Sequence, residues 1–151
     1  MKKLLRIGAM VLCLSLAGQT IAAAKPPENG IRIVHSKITK KKDESLFLVY
    51  LDNIKGNALA EDIQISFNPD DYILEDVSSL DDEIPILGSK SSKGSIRIIM
   101  ASLGTKHAIH GDKAILEVLF KNKTKKGKSP NPSIAATVSD EYGNELVLSA
   151  K

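Results

Sequence analysis

Apolar and polar residues alternate with a period of two along most of this chain. Ile63, Ile65 and Phe67 alternate with Asp62, Gln64 and Ser66, and Ile96, Ile98 and Met100 repeat the pattern. Such alternation places one set of side chains on each face of a strand, so these segments predict half-buried strands. Ile31 and Ile33, with Ile38, predict an earlier strand region, and Ile134, Ala136 and Val138 a later one. Leu46 to Leu51 and Ile115 to Phe120 are instead nearly continuous apolar runs, expected of central strands or strands covered on both faces. Turn residues punctuate the runs: Asp52-Asn53 with Gly56-Asn57, Asn68-Pro69-Asp70-Asp71 with room for one helical turn, and Tyr142-Gly143-Asn144 before Leu146-Val147-Leu148. Ser78 to Lys93 reads as a polar connection around Ile84-Pro85-Ile86-Leu87. No long segment repeats every 3.6 residues, so the expected class is all-β, an antiparallel sandwich.

The N-terminus is different in kind. Lys2, Lys3 and Arg6 precede an apolar run from Ile7 to Ala17, and Ala22-Ala23-Ala24 precedes Lys25-Pro26-Pro27. A basic start, a short apolar stretch and small residues at a cleavage point describe a secretory signal peptide over residues 1–24, and the run is short for a membrane span. Cys13 follows Leu12 inside the apolar run, which argues against lipidation. Residues 25–30 read as a flexible Pro-rich leader and residues 31–151 as one domain. Cleavage would take 24 of 151 residues and three of the 21 Lys and Arg, leaving 18 basic against 18 acidic side chains, so the excess of +3 belongs to the export signal. The one cysteine would leave with it, and a domain of this length builds its core without disulfides. The expected location is exported, periplasmic or extracellular.

Candidate chemistry is sparse. His107, His110 and Asp112 are three possible metal ligands, but they fall in a predicted loop without an evident fourth ligand, and solvated loop residues are the simpler reading. Nine carboxylates lie between Gly56 and Gly88 with no Lys or Arg among them, which reads as a solvated negative face. Lys40 to Lys42 and the lysines from Lys121 to Lys128 lack interleaved aromatics and Arg, so no nucleic-acid surface is indicated. Nucleophile and phosphate-loop motifs are missing, and neither an enzyme nor a cofactor is expected. A sugar-binding platform would need exposed aromatic rings, for which Tyr72 and Tyr142 are the free candidates.

Ile65-Ser66-Phe67-Asn68-Pro69 with Leu74-Glu75, Gly94 to Ser102 followed by Gly104-Thr105, Ala114 to Lys121, and Asp140 to Glu145 together resemble a cohesin domain. The resemblance spans about residues 31 to 149 and implies a nine-stranded jelly-roll sandwich. It further implies a non-catalytic module that docks a dockerin-like protein on one sheet face, a role linked in that family to polysaccharide catabolism. Asp62 matches the family's key aspartate; Ala60 stands where an Asn is usual, and Ser102 where a Glu often follows the strand. Asp62, Gln64, Ser66, Arg97 and Ser102 are therefore the expected partner-binding residues, with Ile99 beside them. The alternatives are a carbohydrate-binding module taking a polysaccharide, since that superfamily shares the sandwich, and a periplasmic secretion or pilus assembly accessory using an exposed strand edge. The expected form is a monomer, free of membrane after signal cleavage.

Intact-mass measurement of the exported protein should find a chain beginning near Lys25; a species that retains Met1 or Cys13 would refute the leader assignment.

Overall fold

A computed structural model describes residues 29–36, 43–123, 131–148 and 150. Nine strands follow one another: β1 (Gly30–Ser36), β2 (Glu44–Ala58), β3 (Ala60–Ser66), β4 (Tyr72–Ser79), β5 (Ile86–Ser92), β6 (Ser95–Ala101), β7 (Ile109–Asn122), β8 (Ser133–Ser139) and β9 (Glu145–Leu148). They form two antiparallel sheets, β1-β2-β7-β4 and β5-β6-β3-β8-β9. The all-β, nine-stranded sandwich is the architecture expected from the alternating runs. The residues expected to form a signal peptide, most of the expected leader, Ile38 and the lysines at 40–42 and 125–128 lie outside the described residues.

Alternation explains which faces meet. Phe47, Val49 and Leu51 of β2, Ile63 and Ile65 of β3, Ile96, Ile98 and Met100 of β6, and Val118 and Phe120 of β7 are buried between the sheets. Phe120 is 0% exposed, and its ring meets Phe67 at 5.0 Å, Phe47 at 5.7 Å and Tyr72 at 6.5 Å, all edge-on. Both apolar runs did become central strands, β2 lying between β1 and β7, and β7 between β2 and β4.

Three local expectations change. Asp52-Asn53 and Gly56-Asn57 do not reverse the chain; β2 runs through them with register shifts against β7, Asn53 and Gly56 taking positive φ of 54° and 93°. The extra residues are absorbed as bulges, which bend a strand without ending it. Asp52 is buried there because Arg32 donates to its carboxylate at 2.8 and 3.0 Å. The connection after Ser79 contains β5, a sheet-edge strand whose residues from Leu87 to Ser92 are all exposed, so no apolar face announces it. Tyr72, expected free, is only 6% exposed.

The Asn68–Asp71 turn forms as expected, with the Tyr72 amide donating to the Asn68 carbonyl at 3.1 Å. Before β9, Asp140 accepts the amides of Tyr142 and Asn144 at 2.9 and 2.8 Å, while Gly143 takes φ of 78°. The short Thr105–His107 turn is the one helical segment among the described residues. Within them, no helix is long and apolar enough to cross a membrane.

Phe120→Ala should remove about 3–5 kcal/mol of stability, because a large ring is deleted from a close-packed site. Urea unfolding would show this directly; a loss below about 1 kcal/mol would mean that the inner face is not where the packing energy resides.

Candidate functional site

The outer face of the five-stranded sheet gathers most of the expected residues. β3 is hydrogen-bonded on both sides, to β6 and β8, so its outward residues sit at the middle of that face. Register sets the rows. Gly88, Ile99, Asp62, Thr137 and Val147 lie side by side across the five strands. The next row is Lys90, Arg97, Gln64 and Ala135, and the one after it Ser92, Ser95, Ser66 and Ser133. On the other side of the Asp62 row stand Ala101, Ala60, Ser139 and Glu145. Small side chains dominate, so the surface is nearly flat; a depression of about 360 Å³ opens beside Asp62, Gln64, Arg97, Thr137 and Val147.

One ion pair marks its centre. Arg97 donates from Nε to both Asp62 oxygens at 2.8 and 3.1 Å and from Nη2 to Oδ2 at 2.5 Å. The hydrogen bond from Arg97 holds the Asp62 carboxyl below its ordinary pKa, and the same bond raises that of Arg97. Both stay charged at any physiological pH, and together they are neutral. Gln64 is exposed and Ser66 partly so.

Ser102 is not part of this surface. It follows the end of β6, its amide donating to the Leu59 carbonyl at 2.9 Å, and its hydroxyl oxygen is buried without a hydrogen bond. Ala135, Thr137 and Val147 join the face without having been anticipated, because pairing of β3 with β8 cannot be read from either strand alone.

The histidine loop is dispersed. His107 lies 3.7 Å from Glu83, His110 is exposed on β7, and Asp112 accepts the Asn53 amide at 2.6 Å. No group of three possible metal ligands occurs among the described residues.

Nor do the nine carboxylates form one solvated face. Glu61 is 1% exposed, pointing inward in the row formed by Ile86, Met100, Val138 and Leu146. The alternation that turns Ile63 and Ile65 inward forces this, since Glu61 shares their parity. Neither of its oxygens has a hydrogen-bond partner. Burial raises its pKa from 4.5 to about 7, opposed by the charge of Lys113, whose ammonium already donates to Asp81 at 2.6 Å.

No protein-family model matches the chain, and no curated protein does so either. Solved structures do. The cohesin module of a family 33 glycoside hydrolase from Clostridium perfringens superposes with a TM-score of 0.68 at 20% identity, over 80% of this chain and 90% of that one. The sixth cohesin of Acetivibrio cellulolyticus scaffoldin B, solved in complex with the Cel5 dockerin, gives 0.67 at 13% identity, over 83% and 95%. A non-cellulosomal cohesin from the archaeon Archaeoglobus fulgidus gives 0.60 at 17% identity, over 80% and 86%. The domain is an antiparallel β-sandwich of the jelly-roll kind. More narrowly, its fold is that of a cohesin.

Glu61 yields a pH prediction. A carboxyl whose folded pKa exceeds its unfolded value binds a proton on folding, so its contribution is complete below pH 4.5 and is lost as pH rises through about 7. Stability should therefore fall by about 3 kcal/mol between pH 4.5 and pH 8. Glu61→Gln should flatten that slope in urea titrations; an unchanged slope would show that another group is responsible.

Proposed function

We propose that this domain is a non-catalytic binding module that docks a folded protein partner, of the dockerin-like helix-pair type, on the outer face of the five-stranded sheet. The observation that carries this reading is the face itself: Asp62, Gln64, Ser66 and Arg97 meet on one flat surface of small side chains, with a self-neutralised ion pair at its centre. Small side chains let a partner helix approach the sheet closely and lose little rotamer freedom on contact. Ile99 and Val147, the latter 74% exposed, supply apolar contact within the same row as Asp62. The likeness to cohesins supports the choice of partner class. Arrival outside the cytoplasm rests on the basic, apolar and small-residue order of residues 1–24.

Sugar binding is disfavoured by one fact. Of the two candidate platform rings, Tyr72 is buried against Phe120 and Tyr142 alone is open, at 81% exposed. A role in polysaccharide breakdown would come through the partner.

Capture from the host's exported proteins with wild-type and Asp62→Ala baits, followed by calorimetry on the partner recovered, tests the reading. Asp62→Ala should weaken binding by about 1–2 kcal/mol, because it removes an acceptor and strands Arg97 at the interface. Thermal unfolding should stay within about 4 °C of wild type, since exposed ion pairs add little stability. Loss of binding in His107→Ala and His110→Ala, with Asp62→Ala unaffected, would move the working surface elsewhere.

A further inference from the structure

The four-stranded sheet carries apolar side chains on both faces. Its inner face fills the core, yet Val34 of β1, Leu46, Leu48 and Tyr50 of β2, Leu119 of β7 and Ile73 of β4 point the other way. Register joins four of them into a patch, Val34 lying opposite Leu48 and Leu46 opposite Leu119, while Tyr50 pairs with Arg32 and Ile73 with Lys121 at its margins. Val34 and Ile73 are 39% and 44% exposed, the other four are half-buried, and none of the six belongs to the packed core. A sheet with one wet face normally carries polar residues outward, as the five-stranded sheet does with its Ser, Thr and Gln. Apolar side chains clustered on an outer face and rimmed by charge are a feature of interaction sites.

Charge selects the occupant. Glu117 pairs in register with Leu48, and Asp76 with Leu119. Among the described residues neither carboxylate takes part in a hydrogen bond or ion pair. Among the described residues, the cations of this face are Arg32 and Lys121. Arg32 is committed to Asp52 and lies over the Tyr50 ring at 4.0 Å, and Lys121 pairs in register with Glu44 and Ile73. A second copy packed face to face would offer, among the described residues, Lys121 as its one uncommitted cation against Asp76 and Glu117, so carboxylates would be buried in excess of their counter-charge, which is unfavourable. A segment with an apolar stripe bordered by basic residues fits both features.

We propose that the outer face of the four-stranded sheet is a second docking surface, for an amphipathic segment of a partner polypeptide whose apolar side chains cover Leu46, Leu48 and Leu119 and whose Lys or Arg residues pair with Glu117 and Asp76. It lies on the opposite side of the sandwich from Asp62 and Arg97, so both surfaces can be occupied at once. The inference stands apart from the docking role given to the Asp62 face.

Titration of 15N-labelled protein with a synthetic Leu/Lys amphipathic peptide, and with a Leu/Glu peptide of equal length, tests it by NMR. The Leu/Lys peptide should shift amides around Leu46–Leu48 and Glu117–Leu119 and leave those of Asp62 and Gln64 in place. Glu117→Gln combined with Asp76→Asn should weaken it about tenfold, and Leu48→Gln should do the same. Val34→Gln, at a more exposed position, replaces Leu48→Gln if that variant fails to fold. Equal binding of the two peptides, shifts confined to the Asp62 face, or no binding at millimolar peptide would overturn the proposal. So would a dimer in sedimentation equilibrium that Val34→Gln dissociates.

Discussion

The parity of β3 is the constraint on which the rest of the domain depends. β3 is hydrogen-bonded along both edges, so it can neither slip nor rotate without breaking two ladders at once. With Ile63 and Ile65 fixed inward, Asp62, Gln64 and Ser66 must face out, and the registers of β6 and β8 carry that choice across the sheet. Arg97 is thereby placed diagonally next to Asp62, close enough for a bidentate pair. The same parity turns Glu61 into the core. An inner face that excludes water and an outer face that carries a salt bridge are two consequences of one register.

Glu61 shows what that register costs. An ionised carboxylate with both oxygens unpartnered in an apolar row is expensive, and taking up a proton is the available relief. Lys113 cannot neutralise it fully while it is bound to Asp81. Protonated, the side chain sheds its charge but still buries a carboxyl group without a hydrogen-bond partner beside Met100 and Val138. The domain should accordingly be tightest in mildly acidic surroundings. Asp62, Asp81 and Asp140, whose pKa values are lowered by hydrogen bonds, titrate at lower pH and act in the opposite sense.

What is legible in the sequence follows from where side chains carry a periodic signal. β3, β6 and β8 alternate cleanly and were readable, as were the turns built on Asn68-Pro69 and Gly143. β5 was not, because an edge strand with Ser89, Lys90, Ser91 and Ser92 exposed has no apolar side to alternate with. The bulged part of β2 looked like a turn since Asn53 and Gly56 favour positive φ in either setting. Asp62, Gln64, Ser66 and Arg97 share one face because they alternate outward on adjacent strands, whereas Ser102 lies just past a strand end, where alternation no longer applies. The inward turn of Glu61 was readable in principle: it continues the Ile63–Ile65 series by one step. Its charge hid it, since a carboxylate in an acidic stretch suggests solvent more strongly than parity suggests burial.

The two outer faces differ in a way that bears on how each would recognise a partner. Asp62 and Arg97 neutralise each other, so covering them desolvates charges that are already compensated, and specificity there must come from shape and from the hydroxyls of Ser66, Ser95 and Thr137. Among the described residues Glu117 and Asp76 have no such internal partner, so a ligand on the four-stranded sheet would have to bring the opposite charge or leave them buried alone. As docking surfaces the first would select chiefly by shape and the second chiefly by charge. A single-faced apolar pattern in β1, β2 and β7 would have sufficed to build the sandwich. Leu46, Leu48 and Leu119 exceed that requirement, and among the described residues they lie beside carboxylates without an internal counter-charge, the two features on which a second docking surface is proposed.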